Sequence, residues 1–91
     1  MSSPDGDRER ILATVTDIVS AEFSVPGEQL DPATVLLRTE GGESVKLMRA
    51  TARIEDEFGV RILSRQQATW SINDFVDQVL LALASASARR P

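Results

Sequence analysis

Apolar residues recur at the spacing of one helix face in three separate stretches of the chain. In residues 8–23, Ile11, Leu12, Val15, Ile18, Val19 and Phe23 fall three and four positions apart, the interval that lines one side of an α-helix. Val25-Pro26-Gly27 closes this stretch, because proline cannot extend the ladder and restricts the residue before it. In residues 44–58, Leu47, Thr51, Ile54 and Phe58 share a face with Ala50 beside it. Gly59 follows, where a left-handed residue commonly ends a helix. The third stripe is Ile72, Phe75, Val76, Val79, Leu80 and Leu83. Ser71 suits its N-cap, Asp74 completes an acidic variant of the capping box, and Trp70 is placed to staple onto Phe75.

The segments between the stripes differ in character. Residues 27–42 contain Leu30, Val35, Leu36 and Leu37, too apolar a set for a solvated linker. Loops of this length are uncommon in compact domains and are often functional, so this one is expected to lie ordered against the core. Residues 63–69 predict no more than a short helical turn, since Gln66-Gln67 has little to bury. No stretch reads as a strand. The fold class is all-α: a small bundle of three to four helices with a long ordered first loop. One domain is expected over residues 8–84, between flexible tails at 1–7 and 85–91.

Composition narrows the chemistry. The 91 residues include neither cysteine nor histidine. That removes disulfides, thiolate metal sites, the commonest general base and the commonest metal ligand, so no metal is expected. The net charge of −4 comes without a basic run, which argues against nucleic acid as a partner. The longest apolar run, residues 79–84, is far too short to cross a membrane. The N-terminus lacks the pattern of a signal peptide. These features lead to the expectation of a cytoplasmic monomer that makes no membrane contact.

One short segment stands out. Gly41-Gly42-Glu43-Ser44-Val45 places a hydroxyl directly before the second helical stretch. A nucleophile elbow would need glycine two residues past the serine, and Lys46 stands there. Without histidine a Ser-His couple is impossible, and Lys46 points away from Ser44 on a helix. No catalytic residue is assigned, and the chain is not expected to be an enzyme. Ser44 could simply be an N-cap after a glycine turn. The helix that follows adds more, because Val45, Met48 and Ala52 form an apolar strip over a hundred degrees from the core stripe. Lys46, Arg49, Arg53 and Glu57 form a separate charged face. An apolar strip running from an exposed serine beside a basic flank has the form of a docking surface.

These residues resemble the phosphopantetheine-attachment region of acyl and peptidyl carrier proteins, whose core motif is G-G-D/H-S-L or G-x-D-S-L. The resemblance extends over residues 8–84. "VPGEQLDPATVLL" is similar to the family's first loop, and "SVKLMRATARIEDEFGVRI" to its second helix. Ser71-Ile72 stands where a Thr-Val or Thr-Ile pair opens the last helix. Glu43 replaces the usual Asp and Val45 the usual Leu, and one extra residue lies between Leu36 and Ser44. Gln66-Gln67-Ala68 replaces the apolar residues of the family's short third helix.

The resemblance implies that a phosphopantetheinyl transferase moves 4′-phosphopantetheine from coenzyme A onto Ser44, giving a covalent arm whose thiol holds an acyl or aminoacyl group as a thioester. Glu43, Val45, Met48, Arg49, Ala52 and Arg53 are the expected partner-binding residues. Basic residues on the second helix, where fatty-acid carriers are acidic, resemble carriers of nonribosomal peptide and modular polyketide systems. Loading enzymes (adenylating or acyltransferase) and condensing or tailoring enzymes are then the expected partners. The alternatives are an unmodified scaffold with the carrier fold and a fatty-acid-type carrier.

Overall fold

The computed structural model describes residues 4–39, 41–63 and 66–88. Three helices carry the fold: α1, Pro4–Phe23; α2, Ser44–Phe58; and α3, Ile72–Ala88. Among the described residues there is no strand, only an isolated antiparallel bridge between Val35 and Ser71. The all-α bundle expected from the hydrophobic stripes is the architecture observed.

Helix α1 packs along both α2 and α3, and the three stripes meet between them. Val15, Val19, Ala50, Ile54, Ile72, Phe75, Val76 and Val79 are fully enclosed. The long first loop joins this core through Leu30 and Leu36, both buried. It is ordered as two single 3-10 turns, Gly27–Gln29 and Leu36–Arg38. Asp31 tightens the path between them by accepting the Ala33 N–H at 2.9 Å, the turn chemistry that aspartate favours.

Helix ends differ from expectation in two places. Helix α1 begins at Pro4 and α3 continues to Ala88, so residues 4–7 and 85–88, expected in the tails, extend the helices. Proline is well tolerated in a first turn, where its missing N–H would have had no partner. Helix α1 stops at Phe23, as expected, where Ser24 adopts a left-handed backbone, φ 56°. The Val25 N–H then reaches the Ser20 carbonyl at 3.2 Å, a helix-closing bond usually made around glycine. Between α2 and α3, the expected short helical turn is a single 3-10 turn, Gln67–Thr69.

The end of α2 and the start of α3 match their sequence signals. Gly59 is left-handed, φ 62°, and the N–H groups of Gly59 and Val60 close onto the Asp56 and Glu55 carbonyls. At the head of α3 the Ser71 N–H donates to Asp74 at 2.8 Å, and the Asp74 N–H donates to Ser71 Oγ at 3.3 Å. The Trp70 and Phe75 rings meet edge to face with centroids 4.9 Å apart. Capping box and staple are therefore both formed. Asp74→Ala should cost about 1 kcal/mol of stability, read as a lower urea midpoint with an unchanged slope.

Candidate functional site at the head of helix α2

Ser44 is the first residue of α2, and Glu43 rather than Ser44 occupies the N-cap. Read as a simple N-cap, Ser44 would turn its hydroxyl back onto the helix backbone, and it does not. Glu43 makes no capping hydrogen bond, and the first turn of α2 contains no acidic residue. The leading N–H groups of the helix therefore lack a side-chain cap, at the end where the helix dipole is positive. Ser44 is exposed, and among the described residues its hydroxyl has no hydrogen-bond partner.

The two glycines have a steric cause that the sequence does not reveal. Gly41 is left-handed, φ 78°, and a Cβ there would lie 2.6 Å from the Phe23 carbonyl oxygen. A Cβ on Gly42 would lie 2.3 Å from the Leu36 carbonyl oxygen and 2.9 Å from that of Thr39. The Gly42 N–H donates to the same Thr39 carbonyl at 2.9 Å. The segment before Ser44 is thus pressed against the end of α1 and the Leu36–Arg38 turn. Glycine permits this packing, and that packing sets where α2 begins.

Beyond Ser44, α2 presents the faces expected from its periodicity. Leu47, Ala50 and Ile54 are buried. Val45 and Met48 are 58% and 71% exposed, and Ala52 is exposed beside them. Arg49 and Glu43 are exposed, and Lys46 is half-buried. Arg53 does not pair along its own helix with Asp56 or Glu57. Its guanidinium lies 3.5 Å from Glu22 of α1, so part of its charge is directed toward α1 instead of solvent.

An open groove of about 340 Å³ starts at Ser44 and follows α2, bounded by Leu37 and by Gln67 and Ala68 of the facing turn. Thr51 and Glu55 line it, and the sequence reading assigns a site role to neither. A signal exists: at 100° per residue, Ser44, Thr51 and Glu55 fall within about 20° of one line. Thr51 donates its hydroxyl to the Leu47 carbonyl at 2.9 Å. Glu55 accepts the Ile62 N–H at 2.8 Å and so ties the segment after α2 to the helix. No group of carboxylates among the described residues could hold a metal ion, and no helix is long and apolar enough to cross a membrane.

A small all-α bundle with an unbonded serine hydroxyl at an uncapped helix start has the form of a carrier domain. The family model described as "Phosphopantetheine attachment site" matches residues 13–79, and the chain belongs to that family. It is also similar to a protein named "Acyl carrier protein" from Saccharopolyspora erythraea, 24% identical over 86 residues, 90% of each chain. No solved structure matches the chain significantly. Membership makes the protein a carrier with covalently attached 4′-phosphopantetheine, served by a phosphopantetheinyl transferase and by synthase enzymes. The residues fit the group: the uncapped N–H groups of α2 suit a phosphodiester, and the cysteine-free chain lacks the thiol that the arm supplies.

Glycine substitutions test the packing that positions this site. A Cβ added at Gly59 would meet nothing within 4 Å, so Gly59→Ala should cost only the left-handed strain, about 1–2 kcal/mol. Gly41→Ala combines a left-handed φ of 78° with a clash at 2.6 Å and should cost more than Gly59→Ala. Denaturant midpoints of the two variants check the order, and equal losses would contradict the packing described.

Proposed function

We propose that Ser44 is the attachment point and that the protein is a cytoplasmic, monomeric carrier for acyl or aminoacyl intermediates of nonribosomal peptide or polyketide synthesis. The observation that carries this reading is the exposed, unbonded Ser44 hydroxyl at the uncapped start of α2. The hydroxyl attacks the β-side phosphorus of coenzyme A within the transferase, forming the phosphodiester and releasing adenosine 3′,5′-bisphosphate. The chain contributes placement: the packed glycines fix the helix start, and the helix dipole favours the new negative charge. When attached, the arm supplies a thiol for thioester chemistry.

Partner enzymes dock on the strip of Val45, Met48 and Ala52, flanked by Glu43, Arg49 and Arg53. Val45 and Met48 together expose apolar area at the head of the helix, and Arg49 sets a basic edge to it. A basic enzyme surface of the kind that meets acidic fatty-acid carriers would be repelled there. Acidic or mainly apolar surfaces are favoured.

Two variants and one comparison test this reading. Met48→Glu should stay folded yet be loaded more slowly, because a carboxylate desolvated in an apolar interface is costly. Arg49→Glu should slow loading mainly through the association rate, with a smaller effect at high salt. Arg49 is the cleaner probe, since Arg53 also holds Glu22. Holo protein should be charged by an adenylating or polyketide loading enzyme. Efficient charging by a fatty-acid loading enzyme alone would overturn the assignment.

A further inference from the structure

Met48 is the one side chain in the strip beside Ser44 that an oxidant can alter. It follows Ser44 by four residues, so the two lie one turn apart on the same side of α2, with Cβ atoms about 6 Å apart. It is 71% exposed and borders the groove that begins at Ser44. Methionine commonly serves as a flexible filler inside a core. The core here holds none: its buried side chains are aliphatic or aromatic, and the one internal methionine faces outward.

The rest of the chain leaves Met48 as the accessible sulfur beside the site. There is no cysteine, and the only other methionine is Met1. Trp70, a second oxidant-sensitive side chain, is buried with its ring edge to face on Phe75. Oxidation of a thioether follows the access of oxidant to sulfur. Val45 and Met48 are the large exposed apolar side chains of α2, so a change at Met48 alters half of what the strip offers a partner.

We propose that Met48 is a reversible oxidation site that governs the access of partner enzymes to Ser44. This rests on the reading that partners dock on the strip of Val45, Met48 and Ala52. A peroxide supplies the oxidant. The Met48 sulfur attacks one peroxide oxygen and the O–O bond breaks. Sulfur gives up two electrons and becomes the sulfoxide, while the second oxygen takes up the proton and leaves as water. The product is polar and chiral at sulfur where the strip was apolar. Covered by a partner, its oxygen is desolvated with no donor to meet it. The fold is untouched, because Met48 lies outside the core. A methionine sulfoxide reductase reverses the change, its dithiol taking the oxygen off as water and becoming a disulfide.

The test uses apo protein treated with hydrogen peroxide, which catalase then removes, with peptide mass spectrometry locating the added oxygen. Met48 should gain oxygen before Trp70 does. The oxidised protein should keep its thermal midpoint, yet accept phosphopantetheine from coenzyme A and a broad-specificity transferase at least threefold less efficiently, through a higher KM for the carrier. Methionine sulfoxide reductases acting on both epimers should restore the rate. Met48→Leu keeps Met1, and its own rate, whatever its untreated value, should not fall after peroxide. An unchanged rate once Met48 is fully oxidised, or an equal fall in Met48→Leu, would overturn the proposal. If Met48→Glu slows transfer and the sulfoxide does not, the oxidation switch alone is overturned. If neither slows it, the docking strip is overturned as well. Absence of any transfer to untreated protein would remove the attachment reading, and this proposal with it.

Discussion

The surroundings of Ser44 depend on one backbone junction between the first loop and the head of α3. The Leu36 N–H donates to the Trp70 carbonyl at 2.9 Å, and the Asn73 N–H donates to the Pro32 carbonyl at 3.0 Å. Val35 and Ser71 form the bridge between these bonds. The junction is buried on the core side by Leu36, Trp70 and Ile72, where an unmade backbone hydrogen bond would be costly. It fixes the Leu36–Arg38 turn, and Gly42 packs on the carbonyl of Leu36. The position of Ser44 therefore rests on bonds made at the head of α3.

This arrangement separates two tasks within a small chain. The core and junction hold the helix start rigid, while the residues around Ser44 are left with few internal partners. An uncapped helix and an exposed Met48 both cost stability or solubility in a protein with no other use for them. They are coherent in a carrier, whose attachment point must enter another enzyme and whose adjoining surface must bind several enzymes in turn. The charge pattern belongs to the same surface: Arg49 is exposed, whereas Arg53 is shared with α1 through Glu22.

Much of this is legible in the sequence, and the features that are not have a common cause. The capping box at Ser71 and Asp74, the Trp70–Phe75 staple and the Gly59 stop all depend on residues a few positions apart, so local spacing reveals them. The three faces of α2 follow from 100° per residue. The features that escape are tertiary. The Arg53–Glu22 pair joins two helices, and the reason for Gly41 and Gly42 lies in carbonyl groups of Phe23 and Leu36. Ser24 adopts a conformation for which glycine is the usual signal, so the end of α1 is marked by the following Val25-Pro26-Gly27 and not by Ser24 itself. Ser44 stands out because of its neighbours, but Glu43 takes the capping position expected for a serine. Glu55 gives no local signal, because its alignment with Ser44 spans three turns, beyond the spacing at which neighbouring side chains touch.

The most direct test of the account is the intact mass of wild type and Ser44→Ala after incubation with coenzyme A and a broad-specificity phosphopantetheinyl transferase. The Ser44 hydroxyl makes no hydrogen bond among the described residues, so its loss should leave the fold unchanged, as a matching thermal midpoint would verify. The account predicts that wild type gains the mass of one phosphopantetheine and that Ser44→Ala gains none. An equal gain in both proteins, or no gain in a folded wild type, would contradict it.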